Sequence, residues 1–249
     1  MMDRAEVTML ELISQILTKH PNLAKNVIEI ATRSLSLGDK SLEGTFTNIF
    51  TTKGWGSGES VSGDGSSLTY TENLRRHLPT LFDDFSIRRV LDAPCGDFNW
   101  MKEFLRNVEV EYLGADIVEK IISDNKNRYS STNINFQHLD VTKDDLPDSD
   151  LLICRDCLFH FSYKNIQLFV ENFKRKNIRY LLTTSHTKKM TGNNSDILDG
   201  SYRRIDLFSA PFHFPQSPLR MIDDWIPGFP ERHMILWSKE QISSVEIRL

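Results

Sequence analysis

The sequence is poor in several features that mark other classes of protein. Its three cysteines form an odd set in 249 residues, and the first thirty residues are charged and amphipathic rather than secretory in type, so a disulfide framework is not expected. No apolar run approaches the length of about 18 residues that spans a membrane. The formal net charge of −4 provides no positive field of the kind that gathers nucleic acid. We therefore expect a soluble cytoplasmic protein that binds neither membrane nor nucleic acid.

Two of the cysteines, Cys154 and Cys157, have the Cys-x-x-Cys spacing, and His160 follows them. A zinc site needs a fourth ligand or an open position, and no second Cys or His pair has suitable spacing. A redox pair would usually open a helix after a first strand, which this pair does not. The spacing therefore predicts no metal site.

The chain is long for one domain and short for two. A hydrophobic fraction of 39% is ample for one sizeable core. Residues 3–36 carry two amphipathic stripes separated by Pro21, which predicts a pair of helices. We therefore divide the chain into an N-terminal helical extension, residues 1–50, and one α/β domain, residues 51–249. The extension has two interpretations. It is either a helical cap on the core, or a functional segment that covers the cleft or forms the contact of a homodimer.

Residues 51–67 contain five of the twelve glycines and no periodic apolar pattern, so they form a loop. The loop is either a flexible linker or a segment that closes over a ligand, since glycine lets backbone approach closely and Trp55 and Glu59 lie within it. A helix follows, with Leu74 among its inward residues, and Pro79 is expected to end or kink it.

From residue 90 onward strand and helix patterns alternate, which predicts a mostly parallel sheet with helices on both faces. Ligands bind such sheets at the carboxyl ends of the strands. His233–Ser238 is expected to be a final edge or antiparallel strand. The other predicted strands are 90–92, 112–116, 135–139, 150–154 and 180–185, and the predicted helices between them are 100–107, 118–128 and 163–176.

Polar side chains follow each of these first five strands. One acid at such a position would be an ordinary capping residue, but acids after four successive strands indicate a binding site. The residues concerned are Asp92, Asp97, Asp116, Asp140, Asp156 and His186.

Residues 85–190 resemble the class I S-adenosylmethionine-dependent methyltransferases. The first motif of that family is hydrophobic-Leu-Asp-x-Gly-x-Gly-x-Gly, and residues 90–98 follow it with Gly96 at the central position. Pro94 and Phe98 stand where the family usually has its first and third glycines. The resemblance implies a Rossmann-like, seven-stranded α/β fold with S-adenosylmethionine as the cofactor.

The resemblance also implies roles for individual residues. Asp116 matches the acid that binds the ribose hydroxyls, and Asp140 with Val141 matches the position that accepts from the adenine amino group. Arg155 would hold the cofactor carboxylate or an acidic substrate, or merely pair with Asp156. The full predicted cofactor set is Asp92, Ala93, Pro94, Cys95, Gly96, Asp116, Ile117, Asp140, Val141 and Arg155.

Methyl transfer to oxygen or nitrogen requires removal of a proton from the acceptor. His160 is the first candidate base, because histidine titrates near neutral pH; Asp156 and His186 come next. The alternatives are packing of His160 beside its phenylalanine neighbours and capping of the next helix by Asp156.

The acceptor is expected to be a small molecule or a saccharide, with Trp55, Arg203 and Arg204 as candidate contacts. Two other functions stay open. One is an NAD(P)-dependent oxidoreductase, which would want Gly-x-Gly-x-x-Gly directly after the first strand. The other is a non-catalytic nucleotide-binding domain of the same fold.

Overall fold

The structure is a computed structural model that describes residues 41–56, 58–187 and 192–248. The helices predicted over residues 3–36 lie outside the described residues. A compact unit begins at Ser41. Residues 41–50, which the sequence analysis grouped with the N-terminal extension, belong to a helix whose Phe46 and Ile49 are buried in the core of that unit. In the described part of the chain, no helix has the length and apolarity needed to cross a membrane.

The unit alternates helices and strands along the chain. Its helices are α1 (Leu42–Thr51), α2 (Glu72–Asp84), α3 (Met101–Leu105), α4 (Glu119–Tyr129), α5 (Tyr163–Lys174) and α6 (Lys239–Ser243). Its strands are β1 (Arg89–Asp92), β2 (Glu111–Asp116), β3 (Ile134–His138), β4 (Ser149–Cys154), β5 (Ile178–His186), β6 (Arg220–Asp223) and β7 (Arg232–Ser238). Two short 3₁₀ turns lie at Asp64–Ser66 and Leu158–His160.

The seven strands form one sheet in the order β3-β2-β1-β4-β5-β7-β6. The first five strands are parallel, and β7 is antiparallel to both β5 and β6. The predicted seven-stranded α/β fold is therefore confirmed, although the sheet is mixed. The strand at 232–238, β7, is antiparallel as expected. It is not an edge strand, because β6 pairs with it and forms the edge of the sheet. The strand order reverses between β1 and β4, which places a ligand crevice at their carboxyl ends.

The core lies on both faces of the sheet. All six residues of β4 are buried, which is the pattern of a central parallel strand covered on both sides. Leu152 packs with Phe169 of α5 on one face, whereas Leu151 and Ile153 pack with α2 on the other. Each fully buried Leu or Phe stabilises the fold by about 1.5–3 kcal/mol relative to an exposed one.

Helix α2 continues through Pro79, so of the two expected effects the proline does not end the helix, and a kink stays a prediction. Leu74, Leu78 and Leu81 are almost fully buried along one face. The burial of this stripe on both sides of the proline offsets the loss of one backbone hydrogen bond.

Candidate active site

A cleft opens at the carboxyl ends of β1, β2, β3 and β4. The sequence analysis named twelve of the residues that line it, and they come from all four strand ends and from the glycine-rich loop. They are Trp55, Asp92, Pro94, Cys95, Gly96, Asp116, Ile117, Asp140, Val141, Arg155, Asp156 and His160.

The turn after β1 is held in a fixed shape. Gly96 has φ +55°, a conformation that costs glycine little, and a Cβ there would collide with Oγ of Ser62. The backbone N–H of Cys95 donates to the carbonyl of Ala115 at 2.8 Å, and the side-chain amide of Asn125 donates to the carbonyl of Gly96 at 2.8 Å. The turn therefore leaves a side-chain-free surface facing the cleft at Gly96.

Asp116 closes the end of β2 against this turn. Its carboxylate accepts from the backbone N–H of Gly96 at 3.1 Å and from that of Val118 at 2.9 Å. Burial raises the pKa of Asp116 to about 6, because the charged form loses solvation. The carboxylate is thus oriented by backbone and faces the cleft, with oxygen lone pairs still available for further donors.

Two more carboxyl groups line the same wall. Asp92 is buried, and the hydroxyl of Tyr112 donates to it at 2.7 Å; burial raises its pKa to about 7. Asp140 accepts from the backbone N–H and the hydroxyl of Thr142 at 2.9 and 2.6 Å, and Lys143 lies 3.1 Å from its other oxygen. Both carboxyl groups are therefore held in position by neighbours.

The glycine-rich loop forms the opposite wall of the cleft. Asp97 accepts from the hydroxyl of Ser60 and from the backbone N–H of Val61, both at 2.9 Å. Glu59 accepts from the side-chain amide of Asn99 at 2.7 Å and from the backbone N–H of Leu68 at 2.8 Å. The described residues of this loop are therefore bonded to the segment after β1 and form part of the cleft wall, whereas closure over a ligand stays a prediction.

Phe98 accounts for one departure from the family motif. Its backbone has φ +61°, a region that disfavours residues with a side chain. Its ring lies 5.2 Å from Tyr112, 5.3 Å from Tyr129 and 5.1 Å from Phe136. Packing in this aromatic cluster stabilises a conformation that the family's glycine would adopt without strain.

A buried network of two arginines and two aspartates lies beside the cleft. Nε and Nη2 of Arg155 both donate to Asp224 at 3.0 Å, and Nη1 lies 3.2 Å from Asp156. Arg232 donates to Asp156 at 2.7 Å. Burial acts to raise the pKa of Asp156, but Arg155 and Arg232 beside it bring the pKa below its ordinary value. Asp156 is therefore ionised at neutral pH and already accepts two charged donors, which disfavours a role as base.

His160 has a defined tautomer. Its Nδ1 lies 2.7 Å from the carbonyl oxygen of Ser201, and because a carbonyl can only accept, Nδ1 carries the proton and Nε2 has a lone pair. The ring stacks on Trp55 with centroids 4.8 Å apart. Burial lowers the pKa of His160 to about 4, so the ring is neutral at pH 7. This is the protonation state that a general base requires.

Four predicted site residues do not line the cleft. Ala93 is buried in the core, and His186 accepts through Nδ1 from the backbone N–H of Ile205 at 3.2 Å. Arg203 is buried and donates to the carbonyl of Phe161 at 2.7 Å. Arg204 lies on the loop that follows β5 and is also absent from the cleft wall. The catalytic role proposed for His186 and the substrate contacts proposed for the two arginines stay predictions.

Sequence reasoning missed several residues of the cleft. One group lies on α1, where the spacing i, i+4, i+8 indicates one helix face. The missed residues include Leu42, Phe46, Phe50, Val61, Ser62, Ser66, Trp100 and Phe161.

Comparison with known proteins identifies the central part of the chain. Residues 90–176 match the family model described as Methyltransferase domain. Residues 90–176 therefore carry a methyltransferase domain. The predicted family, the S-adenosylmethionine-dependent methyltransferases, is thereby confirmed, and S-adenosylmethionine is its cofactor. Comparison of the sequence with curated proteins gives no significant match.

Solved methyltransferase structures share the fold. Magnesium protoporphyrin IX methyltransferase from Synechocystis PCC 6803, with bound SAH, is 14% identical with a TM-score of 0.56, over 78% of this chain and 97% of that one. The methyltransferase domain of bacterial CtHen1-CN is 12% identical with a TM-score of 0.51, over 68% and 99%. Human N-acetylserotonin methyltransferase, in complex with SAM, is 17% identical with a TM-score of 0.50, over 77% and 58%. At these identities the likeness shows the fold alone.

Proposed function

We propose that this methyltransferase domain transfers a methyl group from S-adenosylmethionine to an oxygen, or a nitrogen, of a small-molecule acceptor, with His160 as the general base. The observation that carries the proposal is the neutral His160 ring, with its free Nε2 lone pair, in the same cleft as the Gly96 turn and Asp116. Among the described residues, His160 is the one histidine that lines the cleft.

The residues of the cleft fit the cofactor. Gly96 lines the cleft without a side chain, and a Cβ there would collide with Oγ of Ser62, so glycine lets the glycine-rich loop pack closely against the turn after β1. Asp116 presents a carboxylate of the kind that binds two vicinal hydroxyls. Ile117 and Val141 provide apolar walls for an adenine ring, and Asp140 provides an acceptor for its amino group.

The chemistry divides between cofactor and protein. When bound, S-adenosylmethionine supplies a methyl group on a positively charged sulfur, and the bond from methyl to acceptor forms as the bond to sulfur breaks, leaving the electron pair on sulfur. Nε2 of His160 takes the proton of the acceptor hydroxyl, which typically contributes about 10²–10⁴-fold. Alignment of the acceptor supplies a further ~7–11 kcal/mol of barrier reduction.

Arg155 and Asp156 act in this proposal as positioning residues. Their mutual pairing and their bonds to Asp224 and Arg232 fix the end of β4, from which the His160 turn begins. Asp156 itself has φ +53°, and a Cβ at Gly65 would lie 2.7 Å from its carboxylate. The network thus ties β4, β7 and the glycine-rich loop together at the cleft.

Cofactor binding is expected to depend on pH through Asp116. A ligand whose hydroxyls donate to the carboxylate favours its ionised form, so affinity is lost as pH falls through the pKa of about 6. Between pH 8 and pH 5 the dissociation constant of S-adenosylhomocysteine should rise about tenfold, since one pH unit below the pKa about a tenth of the group is ionised. Calorimetry at both pH values measures this.

The variant Asp116→Asn is the control, because Asp92 also lines the cleft with a pKa of about 7. Loss of the pH dependence in the variant would assign it to Asp116. A pH dependence retained in full would assign it elsewhere and contradict the prediction.

The proposed function is tested with methyl-labelled S-adenosylmethionine and a panel of phenols, aliphatic alcohols, amines and glycosides. The expected result is label transfer to at least one member, with release of S-adenosylhomocysteine. The relatives act on different acceptors by their names, magnesium protoporphyrin IX and N-acetylserotonin, so a broad panel is needed. Tight binding of S-adenosylhomocysteine without transfer to any member would favour a non-catalytic binding domain instead.

A further inference from the structure

A loop that follows β5 is pinned beside the His160 turn. The backbone N–H of Gly200 donates to the carbonyl of His160 at 2.8 Å, and that of Arg203 donates to the carbonyl of Phe159 at 3.2 Å. The bond from Nδ1 of His160 to Ser201 joins the same two segments. Four residues of this loop, 200–203, therefore keep a fixed position next to the candidate base.

The pinned loop presents apolar side chains to solvent, and one of them lies beside the His160 ring. Tyr202 is 53% exposed, and its ring lies 6.0 Å from that of His160 and 5.4 Å from that of Phe159. Leu198 on the same loop is 60% exposed. Val61, on the glycine-rich loop, lines the cleft and is 40% exposed. We call Val61, Leu198 and Tyr202 the apolar rim.

Exposed apolar side chains near a cleft mark a surface that an incoming ligand can cover. Trp55 and Tyr202 both contact the His160 ring, so the base is surrounded by aromatic rings. Such surroundings favour a flat aromatic ligand, because ring pairs add about 0.5–1.5 kcal/mol each beyond the burial of area. The nearest acid, Asp156, is already paired with two arginines, so it offers no unpaired carboxylate to a cationic acceptor.

We propose that the methyl acceptor is a small aromatic compound whose phenolic hydroxyl reaches Nε2 of His160 while its ring packs on the apolar rim. The inference rests on the function proposed above. The hydroxyl proton passes to Nε2, the oxygen forms its bond to the methyl carbon, and the carbon–sulfur bond breaks with its electron pair left on sulfur. The imidazolium then returns its proton to solvent.

The acidity of the acceptor supports this choice. His160, with its pKa of about 4, is a weak base. A phenol has a pKa of about 10, as in tyrosine, whereas the pKa of an aliphatic alcohol or a sugar hydroxyl is much higher. The smaller mismatch with a phenol makes proton transfer less unfavourable than for a sugar hydroxyl.

The test compares acceptors of matched shape. With saturating S-adenosylmethionine, kcat/KM is measured for 2-naphthol, for decahydro-2-naphthol and for methyl glucoside through release of S-adenosylhomocysteine. The expected ratio favours 2-naphthol by at least about 100-fold, since a placed base acts on the more acidic hydroxyl. Equal or faster methylation of the saturated alcohol or the glycoside would overturn the aromatic assignment while leaving the proposed function in place. If no acceptor is methylated, both the aromatic assignment and the proposed function are contradicted.

Variants of the rim separate acceptor binding from structural effects. Tyr202→Ala should raise the KM for 2-naphthol about tenfold, with the affinity for S-adenosylhomocysteine unchanged. Leu168→Ala is the matched control, because Leu168 is 41% exposed on α5 and lies outside the cleft wall. An unchanged KM for Tyr202→Ala would contradict the proposal. So would a fall of the oligomeric mass in that variant by light scattering, which would make the rim an interface between copies of this chain.

Discussion

Replacement of His160 by glutamine is expected to lower kcat by about 10²–10⁴-fold and to leave cofactor affinity unchanged. Glutamine keeps a donor that can bond the carbonyl of Ser201, but it has no lone pair basic enough to accept the acceptor's proton. Single-turnover kinetics with 2-naphthol and calorimetry with S-adenosylhomocysteine measure the two quantities. His77→Gln, on α2 outside the cleft wall, is the matched control.

The pH profile of the wild-type enzyme provides a second check on His160. A base is active when neutral, and the pKa of His160 is lowered to about 4 by burial. As pH is lowered, kcat/KM should therefore decrease with a midpoint near pH 4 rather than near pH 6.5, because protonation of His160 removes the base. Unchanged turnover in His160→Gln would instead assign the residue to packing beside Phe159 and Phe161.

Replacement of Asp116 by asparagine is expected to weaken binding of S-adenosylhomocysteine by about 10²–10⁴-fold. Two hydrogen bonds to a charged acceptor contribute about 1.5–3 kcal/mol each, and a neutral amide replaces the carboxylate. The amide oxygen can still accept from the backbone N–H of Gly96 or Val118, so the local fold should persist. Calorimetry on the variant measures the change.

Asp124→Asn is the matched control for this variant, because Asp124 lies on α4 and pairs with Lys120 at the surface. Thermal unfolding of all three proteins should show similar midpoints if the local fold persists. Wild-type affinity in Asp116→Asn would remove the carboxylate from the cofactor site.

The sequence predicted the structure best where neighbouring residues alone determine a strand or a turn. Asp92 and Asp116 end β1 and β2, Asp140 and Asp156 follow the ends of β3 and β4 by two residues, and the parallel topology brings these four acids to one edge. This is why most of the cofactor wall could be predicted from residues 90–156. Gly96 was recognisable because its place in a strand-turn-helix unit requires a residue without a side chain.

The parts that were missed depend on tertiary contacts. Arg155 meets Asp224 across 69 positions and Asp156 meets Arg232 across 76, and no local pattern joins such partners. Strand β6 has one buried residue, Ile222, in four, so it gives no clear alternation.

Two helices show how neighbouring structure changes what a local pattern means. Helix α2 runs through Pro79 because its buried face continues beyond the proline. Helix α1 carries a visible apolar face, but assigning residues 1–50 to the extension separated Phe46 and Phe50 from the cleft that they line.

The most direct test of the central claim is calorimetry of the wild-type protein with S-adenosylhomocysteine and with NAD under identical conditions. The cleft built from the Gly96 turn and Asp116 predicts binding of one S-adenosylhomocysteine per chain and no response to NAD. Tight binding of NAD without any response to S-adenosylhomocysteine would contradict it and assign the cleft to a nicotinamide cofactor.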